Sequence, residues 1–247
     1  MPVLDPLHSS SATGPRRTSP LSRYRLSGPL QASVIALALL LLWDFSGLDL
    51  WAVRLVGGEQ GFAWRERWLT AGLMHQGGRW LALSLILWML FHALHVPRWS
   101  PWAGLSRRER WVGCGVMALS LALIPLLKRA SQTSCPWDLA EFGGNARYVS
   151  HWAWGVLDGG SGHCFPSGHA SSAFAFLAGY FMLRRSRPRQ ARLWLGALLL
   201  LGTGYGLAQM ARGAHYPSHT MWTAWICWTL AALSERWMRE PTPAQPA

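Results

Sequence analysis

Charge is what this sequence has least of. Only 14% of its residues are Asp, Glu, Lys or Arg, and the acidic ones number 11 against 23 basic. Lysine is reduced to a single position, Lys128. So sparse a basic excess excludes a nucleic-acid-binding protein, which would carry a far denser Lys/Arg surface. No internal repeat is visible. No cleavable signal peptide is read at the N-terminus. Residues 1–28 are polar and rich in Ser, Pro and Arg, the composition of a disordered cytoplasmic arm. A second disordered tail is expected over 241–247. The chain is instead rich in apolar residues, 51% of the total, and in tryptophan, with 17. A basic excess in such a chain points to membrane topology.

Six apolar segments are read, at roughly 29–47, 79–96, 111–127, 169–183, 193–210 and 219–237, several of them near the ~20 residues that span a hydrocarbon core. They predict an all-α polytopic membrane protein with about six transmembrane helices in one bundle, occupying 29–240. The stretch 48–78 is not read as a span. Its Phe62-Ala63-Trp64-Arg65-Glu66-Arg67-Trp68-Leu69 run suggests a short helix lying along the interface. Arginine sets the orientation. Arg16, Arg17, Arg23 and Arg25 precede the first segment, and Arg98, Arg107, Arg108 and Arg110 lie between the second and third. Arg184, Arg185, Arg187, Arg189 and Arg192 separate the fourth and fifth, and Arg236 and Arg239 follow the sixth. The positive-inside rule then places both termini in the cytoplasm. The reading is an integral protein of a bacterial inner membrane, with the opposite loops facing the periplasm.

Those opposite loops carry the chemistry. Cys164-Phe165-Pro166-Ser167-Gly168-His169 puts a hydroxyl, backbone amides and an imidazole at the start of one apolar segment. A helix start of this kind is suited to an anion, because its first N–H groups lack intrahelical acceptors. Lys128 ends another segment, and Arg212-Gly213-Ala214-His215-Tyr216-Pro217-Ser218-His219 precedes a third. A phosphate ester needs an in-line nucleophile, donors for its equatorial oxygens and an acid for the leaving oxygen. Neutral His215 supplies the first. Lys128, the Ser167 hydroxyl and the Gly168 amide supply the second, and His169 supplies the third. No metal or other cofactor is called for.

With these residues on the page, the chain resembles the type-2 phosphatidic acid phosphatase family, which shares its site with soluble bacterial acid phosphatases and vanadium haloperoxidases. The family pattern is Lys-x6-Arg-Pro, then Pro-Ser-Gly-His, then Ser-Arg-x5-His-x3-Asp, and the resemblance covers roughly 79–237. The second motif matches in full, Lys128 and Pro136 match the first, and His215 matches the third. The resemblance implies that His215 is the nucleophile, that His169 assists the leaving group, and that Lys128, Ser167 and Gly168 bind phosphate. It implies a lipid phosphate or diphosphate substrate taken from the surrounding membrane lipids, with undecaprenyl diphosphate, lipid A phosphates, phosphatidylglycerophosphate and phosphatidic acid as candidates. A lipid phosphotransferase using the same phosphohistidine, and a silent lipid-phosphate binding or transport protein, are the alternatives.

The pattern is broken in three places. Cys135 stands at the first family arginine, Ala208 and Gln209 replace the Ser-Arg pair, and His219 stands where an Asp orients the nucleophile. Arg212 is the expected substitute for the second arginine, one helical turn after Gln209. Arg129 or Arg147 is the expected substitute for the first. His219 is expected to accept a hydrogen bond from the His215 ring. By the resemblance Cys135 should lie beside the phosphate site, as Cys164 does, and both fall on the oxidising side, so a Cys135–Cys164 disulfide is expected. Cys114 and Cys227 lie inside apolar segments and read as packing residues. His75, His151 and His163 match no metal-ligand spacing and read as structural or solvated, as do His92 and His95.

Overall fold

The computed structural model describes residues 28–238. The expected arms at 1–28 and 241–247 lie almost wholly outside the described residues. The chain is mostly helical. Helix α1 (Gly28–Asp44) meets α2 (Leu48–Arg54) at a bend of 67°. A two-residue hairpin, β1 (Gly57–Gly58) with β2 (Gly61–Phe62), follows. A π-wound segment, Trp68–Gly77, runs on into α3 (Gly78–Leu94). Then come α4 (Arg107–Ala130), the short α5 (Ser171–Phe174) and α6 (Ala178–Leu183) joined by one 3₁₀ turn, α7 (Pro188–Ala211) and α8 (Pro217–Met238).

Local chemistry sets these limits. At the start of α4, Ser106 Oγ accepts from the Glu109 amide at 3.2 Å, while Glu109 Oε2 accepts from the Ser106 amide at 2.8 Å, a capping box. Proline occupies the first position of α7 and of α8, where its missing N–H costs nothing. Gly213 ends α7 in the left-handed region (φ 73°), turning the chain toward α8.

The core lies around α5–α6. Phe176, Leu177, Ala178 and Met182 are all at most 1% exposed, packed among α4, α7 and α8. Close approach is made possible by glycine. A Cβ on Gly202 would sit 2.3 Å from the Phe174 ring, and one on Gly206 2.5 Å from Thr220. The outward faces of α1, α3, α4 and α7 are apolar instead of charged, with Ile35, Leu87, Leu119 and Leu200 all exposed. Such faces suit contact with hydrocarbon. Among the described residues three helices, Trp68–Leu94, Arg107–Ala130 and Pro188–Ala211, are long and apolar enough to cross a membrane, and the bent α1–α2 pair makes up to four. The α5–α6 helix is shorter.

One expected element is different. The run 62–69 is not an interfacial helix: it closes the hairpin, turns, and enters the helix at Trp68, eleven residues before the expected start at 79. Thr70 Oγ1 fixes that start by donating to the Trp64 and Arg67 carbonyls. His75, Gln76, Gly77 and Gly78 interrupt the apolar pattern there, which hides the helix from a hydropathy reading.

Candidate active site

Six helix ends gather at one end of the molecule. The end of α1 arrives with Asp44, which accepts from the indoles of Trp152 (2.9 Å) and Trp222 (2.8 Å). Asp49 of α2 accepts from the Ser218 amide at 2.9 Å, from the Ser218 hydroxyl, and from Trp43 Nε1 at 2.8 Å. That carboxylate sits at the positive end of α8, where an anion is favoured. It holds the helix that begins two residues after His215.

The loop between α4 and α5 is ordered by its own bonds. Asp158 accepts from the Ser134 amide (2.6 Å) and hydroxyl (2.8 Å), and the Trp137 amide donates to the Gly213 carbonyl at 2.9 Å. Cys135 and Cys164 are joined in a disulfide across 29 residues, with Cα atoms 5.2 Å apart. Both are buried. The bond ties the end of the Lys128 segment to the Pro-Ser-Gly-His turn. Closing a loop of about 30 residues contributes roughly 3–4 kcal/mol in the chain-entropy treatment. Cys135→Ser should therefore lower the unfolding midpoint and the activity together, and mass spectrometry of unreduced, alkylated protein should return a linked 135–164 peptide. Alkylation of both thiols without reductant would show that the bond does not form.

The structure places the expected site residues as follows. Lys128 lies in the last turn of α4, its Cδ 3.8 Å from where a Cβ on Gly168 would stand. The turn beneath is fixed from α8: the Ser167 amide donates to the His219 carbonyl (3.1 Å), and Thr223 Oγ1 donates to the Ser167 carbonyl (2.9 Å). Ser167 Oγ is buried without a partner, and the Gly168 and His169 amides donate to nothing among the described residues. An unmatched hydroxyl and two free amides beside a lysine make an oxyanion-type cradle. His169 and His215 face each other with ring centroids 6.5 Å apart. Burial first, then the charges of His219, Lys128 and His169, hold the His215 imidazole well below its ordinary pKa, so it is neutral. Burial and the neighbouring His75, Lys128, Arg212 and Arg79 push His169 down to about 3.

Arg212 reaches the same place from the end of α7. Its Nε donates to the Arg65 carbonyl at 2.8 Å, and Nη1 to His75 Nδ1 at 2.9 Å and Gln209 Oε1 at 3.3 Å. Arg129 and Arg147 do not join the cluster: both are exposed, and Arg147 donates to the Leu157 carbonyl at 3.4 Å. The cation found instead is Arg79, near enough for its charge to act on His169.

His219 takes a different part from the expected one. Its Nδ1 lies 3.5 Å from His215 Nδ1 but 3.1 Å from the Cys164 carbonyl. An imidazole nitrogen facing a carbonyl carries the proton, so this nitrogen is not free to accept one from His215. His215, His219 and Cys164 Sγ approach one another within 4.8 Å, yet they do not suit a metal, because the sulfur is spent in the disulfide.

Two residues were missed from sequence. His75 and Arg79 enter from the start of the α3 segment, far from every motif in the chain. The available signal was an ionisable side chain inside a membrane-length helix, which is a functional hint by default.

A profile of the PAP2 superfamily matches residues 111–243, over half of the chain. The chain belongs to the PAP2 superfamily. The match runs from the second turn of α4 through α8, so it contains Lys128, the Ser167–His169 turn, Arg212, His215 and His219, and leaves out α1, α2 and the His75 segment. No curated protein and no solved structure matches the chain. PAP2 membership supports phosphatase-type chemistry on a phosphate ester, carried here by a protein with three to four membrane-length apolar helices.

Proposed function

We propose that this PAP2 protein is a metal-independent lipid phosphate or diphosphate phosphatase working through a phosphohistidine at the outer face of a bacterial inner membrane. The observation that carries this reading is the meeting of His215, His169, Lys128, the Ser167–Gly168 turn and Arg212, brought from the ends of α4, α5, α7 and α8. Neutral His215 attacks phosphorus. Lys128, Arg212, Ser167 Oγ and the Gly168 amide hold the equatorial oxygens, and His169 protonates the leaving oxygen. A lipid substrate is supported by the position of this cluster at the ends of helices whose outer faces are apolar.

Purified full-length protein should release inorganic phosphate from a panel of lipid phosphates. A chelator should leave the rate unchanged, and vanadate, a mimic of five-coordinate phosphorus, should abolish it. The pH dependence follows from the site. His169 is unprotonated above about pH 3, and its protonated fraction falls tenfold per unit beyond that. The proton for the leaving oxygen must then enter with the substrate as a phosphate monoanion, whose second pKa is about 6. kcat/KM should be flat below about pH 6 and fall tenfold per unit above it. Binding of lipid phosphates without phosphate release or phosphoenzyme would sink the hydrolase reading.

The orientation is inferred from the arginines at the far end, where Arg184 and Arg185 pair with Glu235 at 2.8 and 3.1 Å. With six spans and this end cytoplasmic, both termini are inside. A C-terminal reporter that works only in the periplasm should be silent, and one that works only in the cytoplasm should be active. The reverse pattern would move the site to the cytoplasmic face.

A further inference from the structure

His75 reaches the site from the π-wound segment, 94 residues before the histidine it meets. Its Nδ1 is 2.9 Å from Arg212 Nη1, its Nε2 is 3.3 Å from His169 Nε2, and the two rings lie 4.0 Å apart. Guanidinium only donates, so His75 Nδ1 accepts and carries no proton. The proton of His75 is therefore on Nε2, aimed at His169 Nε2, which must accept. That leaves the proton of His169 on Nδ1, a nitrogen that is buried with no partner among the described residues. Arg212 is itself steadied by the Arg65 carbonyl and Gln209. One chain of contacts thus sets the tautomer of both histidines.

We propose that His75 is a proton relay to His169, taking the proton that the substrate brings and refilling the leaving-group acid as it acts. The proposal rests on the reading of His215 as nucleophile and His169 as acid. The substrate enters as the monoanion. Its phosphate draws Arg212 Nη1 off His75 Nδ1, and the P–OH gives its proton to that nitrogen. His75 passes its Nε2 proton to His169 Nε2, and His169 passes its Nδ1 proton to the leaving oxygen. The P–N bond to His215 forms as the P–O bond breaks. Both relay rings end neutral with their tautomers exchanged. Water then attacks the phosphohistidine and gives a proton to His169 Nδ1. His169 returns its Nε2 proton to His75, and the His75 Nδ1 proton leaves with the product as dihydrogen phosphate.

The relay resolves a difficulty in the site. The groups acting on His169 are His75, Lys128, Arg212 and Arg79, with no carboxylate among them, and in these surroundings it holds a second proton only near pH 3. A relay never requires it to store one. Charge is passed through the ring and does not accumulate on a buried imidazole.

The test compares the full-length enzyme with His75→Phe and His75→Gln on two substrates, an alkyl phosphate and 4-nitrophenyl phosphate, whose leaving group needs little protonation. Rates are taken in mixtures of H2O and D2O, and phosphoenzyme is trapped in parallel. For the wild type on the alkyl phosphate the dependence on deuterium fraction should be curved, with more than one proton in flight. Both variants should lose about 100-fold in kcat on the alkyl phosphate, the scale of one acid–base contribution. Their isotope dependence should become linear, while turnover of 4-nitrophenyl phosphate and its phosphoenzyme stay near normal. Gln keeps an N–H toward His169 but cannot pass a proton through its amide. Wild-type kcat in His75→Gln would therefore overturn the relay, as would equal losses on both substrates in both variants. Absence of phosphoenzyme in the wild type would instead overturn the nucleophile assignment, and the relay with it.

Discussion

His215→Ala should abolish turnover, by at least about 10⁴-fold, the scale seen when a covalent nucleophile is removed. The same substitution should remove the acid-labile, base-stable phosphoenzyme. His215 is 2% exposed and its Nδ1 lies among His219 and Cys164, so truncation also leaves a cavity. His215→Asn keeps more of that volume and should be equally inactive with a wild-type unfolding midpoint, which separates lost chemistry from lost fold. His169→Ala gives the complementary result. It should slow lipid phosphates strongly, and substrates with good leaving groups much less, while the phosphoenzyme on His215 still forms. Full activity in His215→Ala would sink the mechanism at its first step.

Arg212→Ala should cost on the order of 2–4 kcal/mol of transition-state stabilisation, the worth of one oxyanion donor. This is the second-largest effect expected. The side chain is 8% exposed, and its Nη2 donates to no group among the described residues, so a donor is available for phosphate. Gln209 Oε1, at the position of a family arginine, lies 3.3 Å from Arg212 Nη1. The two side chains thus address the same space. The double exchange Gln209→Arg with Arg212→Ala should recover part of the loss in kcat/KM, and vanadate affinity should fall and recover in parallel. Near-normal turnover in Arg212→Ala would pass the charge to Arg79.

The parts of this molecule legible in the sequence are those whose signal is local. Pro166-Ser167-Gly168-His169 is readable because a helix start, a hydroxyl and an imidazole are all carried within four residues. The apolar segments are readable because burial and hydrocarbon contact act on every turn alike. The meeting of Arg212 with Gln209 is readable because both lie on one helical turn. The illegible parts depend on distant contacts. Nothing near His75 in sequence announces Arg212, 137 residues away. The helix that carries it starts before its apolar pattern does, because a His-Gln-Gly-Gly run breaks that pattern. The partner of His219 Nδ1, the Cys164 carbonyl at 3.1 Å, is a group that no substitution pattern can display, since every residue has one.

The carboxylate of Asp49 has a consequence for how the protein is made. It is 5% exposed, and the Ser218 amide and hydroxyl that satisfy it come 169 residues later. At the usual pace of translation this separation is on the order of ten seconds or more. Throughout that interval the nascent chain holds an acidic group whose buried form has lost most of its donors. A chain that stalls before α8 keeps it so, and leaves the docking place for α8 open to whatever surveys unfinished membrane proteins. Helix α2, made early in synthesis, thus depends on a helix made late. Ribosome-stalled chains ending before Ser218 should be cleared faster than chains stalled a turn beyond it, and Asp49→Asn should narrow the difference.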